Sequence, residues 1–290
     1  MENIRSFRIE ETIYREPLFK ENSVDELNRY ILEKRPKNII VLCGAGISTN
    51  CGIPDFRTDG IGLYAKLRDE GIPYPEAVFS LDYFRMNPKP FYKVCKELDT
   101  EKYEPGIVHK FICELDRLGI LLRCYTQNID TLERKAGLDP DKLVEAHGSF
   151  NSASCCVCHR PFDWPTIKGI IFSGDIPQCR EVLPFKTTTQ KHELANYCQG
   201  FIKPNVVLYG ECMSKRFFEC EQLDIAKCDL MLIIGTSLAV YPFAGLAEKV
   251  SKTCPRILIN NKNIELFIDK EWRDMVLLGD CDTTIGQIIL

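Results

Sequence analysis

The sequence lacks any long hydrophobic run. Its longest apolar stretches, at about residues 39–43 and 230–234, are far too short to cross a bilayer. The N-terminal segment MENIRSFRIEE also lacks the apolar stretch of a secretory signal peptide. These absences predict a protein with no membrane partner that resides inside the cell, in the cytoplasm, the nucleus or both.

An excess of positive charge is also missing. With 37 basic and 41 acidic residues the formal net charge is -4, whereas nucleic-acid-binding proteins usually present a basic surface. Direct nucleic-acid binding is therefore not expected, although this charge is compatible with a basic peptide substrate. The hydrophobic fraction of 45% is ordinary for a globular protein. A chain of 290 residues can form one large domain that carries a smaller insert.

Apolar runs with the composition of buried strands alternate with helical patterns. Four such runs lie at about 39–43, 120–125, 230–234 and 256–259, and an amphipathic pattern that Ser23 can cap precedes the first of them. This alternation predicts an α/β fold with a doubly wound, mostly parallel, Rossmann-like sheet. Three of the runs end in glycine or small polar residues, and ligands of such sheets bind at the carboxyl ends of the strands.

A glycine turn follows the first predicted strand. Gly44, Ala45 and Gly46 would place backbone N–H groups and a helix N-terminus where a pyrophosphate can bind. The pattern departs from the full dinucleotide fingerprint, because Thr49 occupies the third glycine position and no acidic residue follows about 20 residues later. A hydride-transferring dehydrogenase is therefore disfavoured. Asn260, at the end of another strand, is placed to hold a ribose instead.

Cysteine is abundant, with 15 residues. Most cysteines stand alone in apolar segments and are expected to be small buried side chains that stay reduced, although a cysteine-rich redox protein is an alternative. Between about 150 and 204 the chain has clustered cysteines, prolines and few periodic runs, before a strand is expected to resume at 206–209. In this region Cys155 and Cys158 form a C-x2-C pair, which suits either a metal ion or redox chemistry.

Seven segments, in order along the chain, resemble the motifs of the sirtuin family. The resemblance as a whole spans about residues 24–290, and several of the segments are long and specific. The segments are GAGISTNCGIPDFR at 44–57, TQNIDTLERKAG at 126–137, HGSF at 147–150, KPNVVLYGE at 203–211, GTSLAVYPFA at 235–244, LINN at 258–261 and GDCD at 279–282. Within the family, the chain looks most similar to the eukaryotic class that includes histone and tubulin deacetylases.

The resemblance implies an enzyme that consumes NAD as a co-substrate. Family members transfer the acyl group of a protein lysine to the ADP-ribose part of NAD and release nicotinamide, free lysine and O-acyl-ADP-ribose. The expected partners are acyl-lysine peptides or proteins, such as histones. Two alternatives stay open: transfer of ADP-ribose to protein at the same NAD site, and a non-catalytic module that binds NAD or acyl-lysine.

The resemblance also implies roles for individual residues. His147, in HGSF, would be the base that the reaction needs near neutral pH, and Asn128 would act with it. The residues expected to contact NAD are Gly44, Ala45, Gly46, Ser48, Ile53, Asp55, Phe56, Arg57, Gln127, Asn128, Ile129, Asp130, His147, Gly235, Thr236, Ser237, Asn260, Asn261 and Cys281. The residues expected to meet the substrate are Val206, Val207, Leu208, Tyr209, Gly210 and Glu211.

A further expectation concerns the acyl group. Family members that remove succinyl groups bind the acid with a tyrosine and an arginine spaced Y-x-x-R. Here Tyr64 is followed by Ala65, Lys66 and Leu67, and Arg68 lies one residue late. Neutral acyl groups, such as acetyl and longer fatty chains, are therefore expected to be preferred.

The resemblance assigns the cysteine pair to a structural zinc site. The family places its first pair just after HGSF, at Cys155 and Cys158, and its last cysteine shortly before the substrate strand, at Cys198. Cys179 is the nearest upstream partner of Cys198, which implies an insertion of about sixteen residues between them. A closed set of four ligands leaves no open position for catalysis. Possible substitutes for one of these ligands are Cys156, His159 and His192.

These assignments predict a division of the chain into an N-terminal extension and one catalytic domain, into which smaller zinc-binding and helical modules are inserted. The extension is 1–22 and the domain 23–290, with Rossmann-like parts at about 23–54, 110–149 and 205–290, a helical module at about 55–109 and a zinc module at about 150–204.

Overall fold

The computed structural model describes residues 16–53, 72–181, 197–267 and 272–290. The strands in these ranges are β1 (Ile39–Cys43), β2 (Leu121–Thr126), β3 (Leu143–Glu145), β4 (Gly148–Cys155), β5 (Pro161–Phe162), β6 (Ile202–Val206), β7 (Leu230–Ile234), β8 (Arg256–Asn260) and β9 (Asp274–Leu278). Six of them form a sheet in the order β3-β2-β1-β7-β8-β9, and every neighbouring pair is parallel. The predicted α/β fold with a parallel sheet is confirmed.

The α-helices in the same ranges are α1 (Val24–Lys34), α2 (Leu81–Met86), α3 (Lys89–Glu97), α4 (Ile107–Arg117), α5 (Leu132–Lys135), α6 (Trp164–Ser173), α7 (Lys215–Asp224), α8 (Leu246–Lys249) and α9 (Cys281–Ile285). The predicted cap of α1 is confirmed, since Ser23 Oγ accepts a hydrogen bond from the Glu26 N–H at 3.1 Å. In the described part of the chain, no helix combines the length and apolar character that a membrane span requires.

The central strands of the large sheet are apolar throughout because helices cover both faces. All five residues of β1 and all five of β7 are buried. Successive side chains point to opposite faces, so Val41 belongs to the apolar cluster that contains Leu27 of α1 and Ile112 of α4, whereas Leu42 belongs to the cluster that contains Phe217 of α7. Burial on both faces is what produces a continuous apolar run in the sequence.

A second sheet is antiparallel and three-stranded, in the order β5-β4-β6. Its apolar side chains share one cluster with helices α2, α3 and α6, which contains Phe84 and Phe91 from the helices and Phe150 and Ile202 from the strands. The segment 150–204 therefore depends for its core on helices that precede it in sequence. The exact limits proposed for the helical and zinc modules stay a prediction.

The strand expected at 206–209 differs in position and partner. Strand β6 ends at Val206 and pairs with β4 in the small sheet rather than with the large one. Beyond it, the Val207 N–H donates to the His147 carbonyl at 2.8 Å and the Tyr209 N–H donates to the Phe79 carbonyl at 2.7 Å. The first bond goes to the residue that precedes β4 and the second to the end of a 3-10 helix, Pro75–Phe79, so the apolar run after Val206 is not a strand of the main sheet.

The large sheet has a switch point between β1 and β7. The chain leaves β1 toward β2 and β3 on one side, and later runs from β7 to β8 and β9 on the other. The loops after two adjacent parallel strands then separate and leave a crevice at their carboxyl ends. The segments that begin at Gly44, Gln127, Gly235 and Asn261 all start at this edge.

Candidate active site

The loops that follow β1 and β7 meet backbone against backbone. The Gly46 N–H donates to the Gly235 carbonyl at 2.8 Å, and a Cβ atom on Gly46 would lie 2.6 Å from Gly235 Cα. Gly235 has a φ of +61°, and its own Cβ would lie 2.7 Å from the Ile47 nitrogen. Both positions require glycine because a side chain at either one would push the loops apart.

The glycine turn leads into short helices. Within residues 44–53, the helix that was predicted to start here is two 3-10 helices, Ala45–Ile47 and Thr49–Cys51. The glycine pattern alone does not distinguish a tight 3-10 turn from the first turn of an α-helix. The groups available to a phosphate at this turn are therefore backbone N–H groups of consecutive turns.

A buried polar network joins the loops that follow β1 and β2. The Ser48 hydroxyl donates to Asp130 Oδ2 at 2.7 Å, and the Leu132 N–H donates to Asp130 Oδ1 at 3.0 Å. Asn128 Nδ2 donates to the Gly44 carbonyl at 3.1 Å and to Ser48 Oγ at 3.3 Å. Burial raises the pKa of Asp130, although the Leu132 and Ser48 hydrogen bonds favour its charged form. The network fixes the orientation of three side chains that were predicted to contact NAD.

A second chain of hydrogen bonds links the loops after β2, β7 and β8. The Thr236 hydroxyl donates to Gln127 Oε1 at 2.5 Å. Asn260 Nδ2 donates to the Thr236 carbonyl at 3.4 Å and to the Lys262 carbonyl at 2.9 Å. The structure thus brings Gln127, Thr236 and Asn260 together although they are far apart in sequence.

His147 is half-buried and lies immediately before β4. Its Nδ1 lies 3.0 Å from the Gln127 carbonyl oxygen, and its ring centroid lies 6.3 Å from that of Phe243. A carbonyl oxygen only accepts hydrogen bonds, so Nδ1 carries the proton and Nε2 is left with a free lone pair. Burial lowers the pKa of His147 below its ordinary value of 6.5, and the bond to Gln127 partly opposes this effect.

A pocket lies beside the polar network. Six of the residues that were predicted to contact NAD line this pocket: Ala45, Ser48, Ile53, Asn128, Ile129 and Asp130. The remaining wall consists of Leu98, Thr100, Tyr103 and Phe150, none of which was predicted to contact a ligand. Phe150 lies in HGSF and could have been suggested by that motif, whereas 98–103 carries no recognisable pattern.

The other residues predicted to contact NAD are distributed as follows. Ser237 and Asn261 are exposed at the sheet edge. Cys281 is buried, and its thiol faces the Ile259 carbonyl at 3.6 Å. Asp55, Phe56 and Arg57 lie outside the described part of the chain, as do Tyr64 and Arg68, which were considered for the acyl group.

The predicted substrate segment lies directly beside His147. The Val207 N–H donates to the His147 carbonyl, and the Leu208 side chain is buried with 1% exposed. The segment also contacts the helical region, since the Leu81 N–H donates to the Tyr209 carbonyl at 3.0 Å. Residues 206–211 therefore connect the small sheet with the backbone of His147 and with the helical region.

Four cysteines converge at the end of the small sheet. The Sγ atoms of Cys155, Cys158, Cys179 and Cys198 all lie within 4.8 Å of one another, with 3.5 Å between Cys155 and Cys198 and 3.7 Å between Cys158 and Cys179. Thiolates around one zinc ion, at about 2.3 Å from it, are separated by about 3.8 Å, whereas a disulfide requires about 2.05 Å. The donor set therefore fits zinc, and the spacing does not fit disulfides.

The backbone around the cluster supports Cys155 and packs closely against it. The Val157 N–H donates to Cys155 Sγ at 3.4 Å, as a thiolate ligand requires. A Cβ on Gly200 would lie 2.6 Å from Cys155 Sγ, so glycine is needed there. Cys156 is outside the cluster, as is His159, while His192 lies outside the described residues.

Comparisons with known proteins agree with this geometry. Residues 44–242 match the sequence model of the Sir2 family. The chain is 41% identical over 280 residues to NAD-dependent protein deacetylase sirtuin-2 of Danio rerio, covering 90% of this chain and 70% of that protein. It is 43% identical to NAD-dependent protein deacetylase hst2 of Schizosaccharomyces pombe, covering 91% and 75%. It is 42% identical to NAD-dependent deacetylase sir2A of Dictyostelium discoideum, but spans only 52% of that longer relative.

Proposed function

The chain belongs to the Sir2 family, and we propose that it removes acyl groups from protein lysines while consuming NAD. The observation that carries this proposal is the arrangement of Ser48, Asn128 and Asp130 in one buried network, with His147 bonded to the adjacent Gln127, at the switch point of a parallel sheet. The relatives carry deacetylase names, which favours deacylation over the transfer of ADP-ribose to protein.

In this proposal the crevice binds NAD, which supplies a sugar carbon that the acyl oxygen attacks as nicotinamide leaves. The backbone N–H groups around Gly46 would face the phosphates. Asn128 and Asp130, held by Ser48, would line the pocket for the carboxamide end. The apolar wall that includes Leu98 and Phe150 would exclude water from the reacting atoms.

His147 would act as the general base. Because the Gln127 carbonyl holds the proton on Nδ1, the unprotonated Nε2 is the atom available to accept a proton from a sugar hydroxyl. Asn128 follows Gln127 directly in the chain and would share the positioning of that sugar. In that step His147 would accept the proton, and Asn128 would hold the sugar whose hydroxyl donates it.

The acid limb of the rate profile should lie at a lower pH than an exposed histidine would give. The base is active when it is unprotonated, and burial lowers the pKa of His147 below 6.5, so activity should persist as the pH falls through 6.5. The measurement is kcat/KM for an acetyl-lysine peptide between about pH 5 and 8, with the folded fraction followed over the same range. An acid inflection above 6.5 in fully folded protein would contradict this role.

The substrate would lie along residues 206–211 as an extended peptide. Pairing through main-chain atoms provides affinity with little selectivity for the surrounding sequence. We therefore propose acylated proteins in general as partners, with histones among them, in either the cytoplasm or the nucleus. A relative from Drosophila melanogaster is named NAD-dependent histone deacetylase sirtuin-1 and is 40% identical to this chain.

The proposal is tested by mass spectrometry of acyl-lysine peptides incubated with NAD. Loss of acyl mass supports deacylation, whereas a gain of ADP-ribose mass on the peptide would support the alternative transfer reaction. With Leu67 where a succinyl-binding arginine would stand, kcat/KM should be higher for acetyl-lysine and fatty-acyl-lysine than for succinyl-lysine. A peptide of one sequence carrying each acyl group in turn is the matched comparison. A higher value for succinyl-lysine would refute the predicted preference without affecting the proposed reaction.

The four-cysteine cluster would hold one structural zinc ion. Four thiolates would fill a tetrahedral set and would leave the metal no open position for substrate. Zinc would stabilise the end of the small sheet, where Cys155 ends β4 and Cys198 precedes β6.

A further inference from the structure

A lysine is buried beneath the proposed peptide-binding segment. Lys203, on β6, is only 6% exposed. Its Nζ donates to the Val206 carbonyl at 2.7 Å and to Glu211 Oε2 at 2.9 Å, with the Pro204 carbonyl at 3.5 Å. A buried ammonium group requires partners of this kind, because unpaired burial of a charge is strongly unfavourable.

Glu211 closes a ring with this lysine. Its Oε2 also accepts the Leu208 N–H at 2.8 Å, and its own N–H donates to the Leu208 carbonyl at 2.9 Å. Gly210 has a φ of +95°, which allows the tight turn inside the ring. The two side chains thus link the beginning and the end of the segment 206–211 across its inner side.

The ring is built within the stretch of chain that carries the proposed peptide-binding residues. Seven residues separate Lys203 and Glu211 in the chain, and the hydrogen bonds of their side chains all lie within residues 203–211. By contrast, His147 is oriented through Gln127, and Asp130 through Ser48 and Leu132. The side-chain hydrogen bonds that support the peptide segment are therefore a separate set from those that support the NAD pocket, although the backbone bond from Val207 to the His147 carbonyl links the two regions.

We propose that Lys203 and Glu211 are positioning residues that hold 206–211 in the conformation that receives the acyl-lysine peptide. This inference rests on the proposed function. Within that function, it assigns to the ion pair of Lys203 and Glu211 a contribution to the affinity for the peptide. A segment that is ordered before the peptide arrives loses little conformational freedom on binding. Without the pair, the peptide must order the segment itself, so peptide binding weakens while NAD binding does not.

The test compares Glu211→Ala with Glu211→Gln in the full chain with zinc bound. Alanine removes both hydrogen bonds that Oε2 accepts, whereas glutamine keeps an oxygen for the Leu208 N–H and Lys203. We expect Glu211→Ala to raise the peptide KM by about tenfold or more, and Glu211→Gln by about threefold, since a charged hydrogen bond is stronger than a neutral one. The dissociation constant for NAD and kcat should both stay within about threefold of the wild type.

Asp224→Asn is the matched control, because Asp224 likewise pairs with a cation, Arg123, at 2.7 Å, and its side chain is more deeply buried, with 2% exposed against 24% for Glu211. It should lower the melting temperature and leave the peptide KM unchanged. An unchanged peptide KM in folded Glu211→Ala, or a parallel rise in the NAD dissociation constant, would overturn the positioning role. If Glu211→Ala does not fold, the peptide KM of Glu211→Gln decides in the same way. Absence of deacylation by the wild type would instead refute the proposed function.

Discussion

His147→Ala should lower the rate of deacylation by at least about 10²-fold, which is the usual contribution of a general base. The physical reason is that Nε2 is the free proton acceptor once Nδ1 is bonded to the Gln127 carbonyl, and alanine supplies no replacement. Folding and NAD binding should persist, because the network of Ser48, Asn128 and Asp130 does not pass through the imidazole. The rate is measured in a single turnover with saturating peptide and NAD, and NAD binding by calorimetry.

His109→Gln is the matched control for this prediction. His109 is fully buried in α4, its Nδ1 accepts the Gly106 N–H at 3.1 Å, and burial lowers its pKa to about 4. This substitution should reduce stability while leaving the turnover rate of the folded enzyme intact. Near-normal deacylation by His147→Ala, or an equal loss in both variants, would show that His147 is not the base.

Replacing Cys179 or Cys198 by serine should release zinc and unfold the end of the small sheet. A structural zinc ion contributes on the order of 10 kcal/mol of folding free energy, and both Sγ atoms belong to the four-thiol cluster. Activity should fall with the metal, because Cys179, Cys198 and the pocket residue Phe150 belong to one apolar cluster. Elemental analysis of purified protein gives the zinc content, and hydrogen exchange locates the loosened segment.

Cys156→Ser provides the control, since Cys156 adjoins a ligand in sequence but lies outside the cluster. It should retain about one zinc ion per chain and nearly full activity. A wild-type content below half an equivalent, or a full equivalent in Cys179→Ser, would mean that the four cysteines are not the ligand set.

The strands and helices that could be predicted from the sequence are those whose residue pattern follows from one physical cause, such as burial or a local hydrogen bond. Strands β1 and β7 are apolar at all positions because they are buried on both faces, and Ser23 caps α1 through a local hydrogen bond. Strand β6 was misplaced because its partner, β4, is chosen by tertiary packing that a short apolar run does not encode. Helix α6 was missed although Asp163 caps it and Gly174 ends it, because few periodic residues lie between them.

In the candidate site, too, residues in local motifs could be predicted from the sequence, whereas contacts that depend on tertiary packing could not. Motif residues such as Asn128 and His147 could be named from the sequence, but the direction of the His147 proton depends on the Gln127 carbonyl, which only the structure places. The pocket wall at 98–103 has no motif, so it could not be found before the helices were packed. The wide spacing of Cys179 and Cys198 was no obstacle to convergence, because the entropy of closing a loop rises only with the logarithm of its length.

The contact between Gly46 and Gly235 has an entropic consequence. Where two loops touch through main-chain atoms alone, no side-chain rotamers lie between them to be frozen when a ligand arrives. This contact therefore adds no rotamer penalty to binding at this edge, and the hydrogen bond from Gly46 to Gly235 already restrains the two backbones. A larger share of the free energy of each contact with the ligand can then appear as affinity.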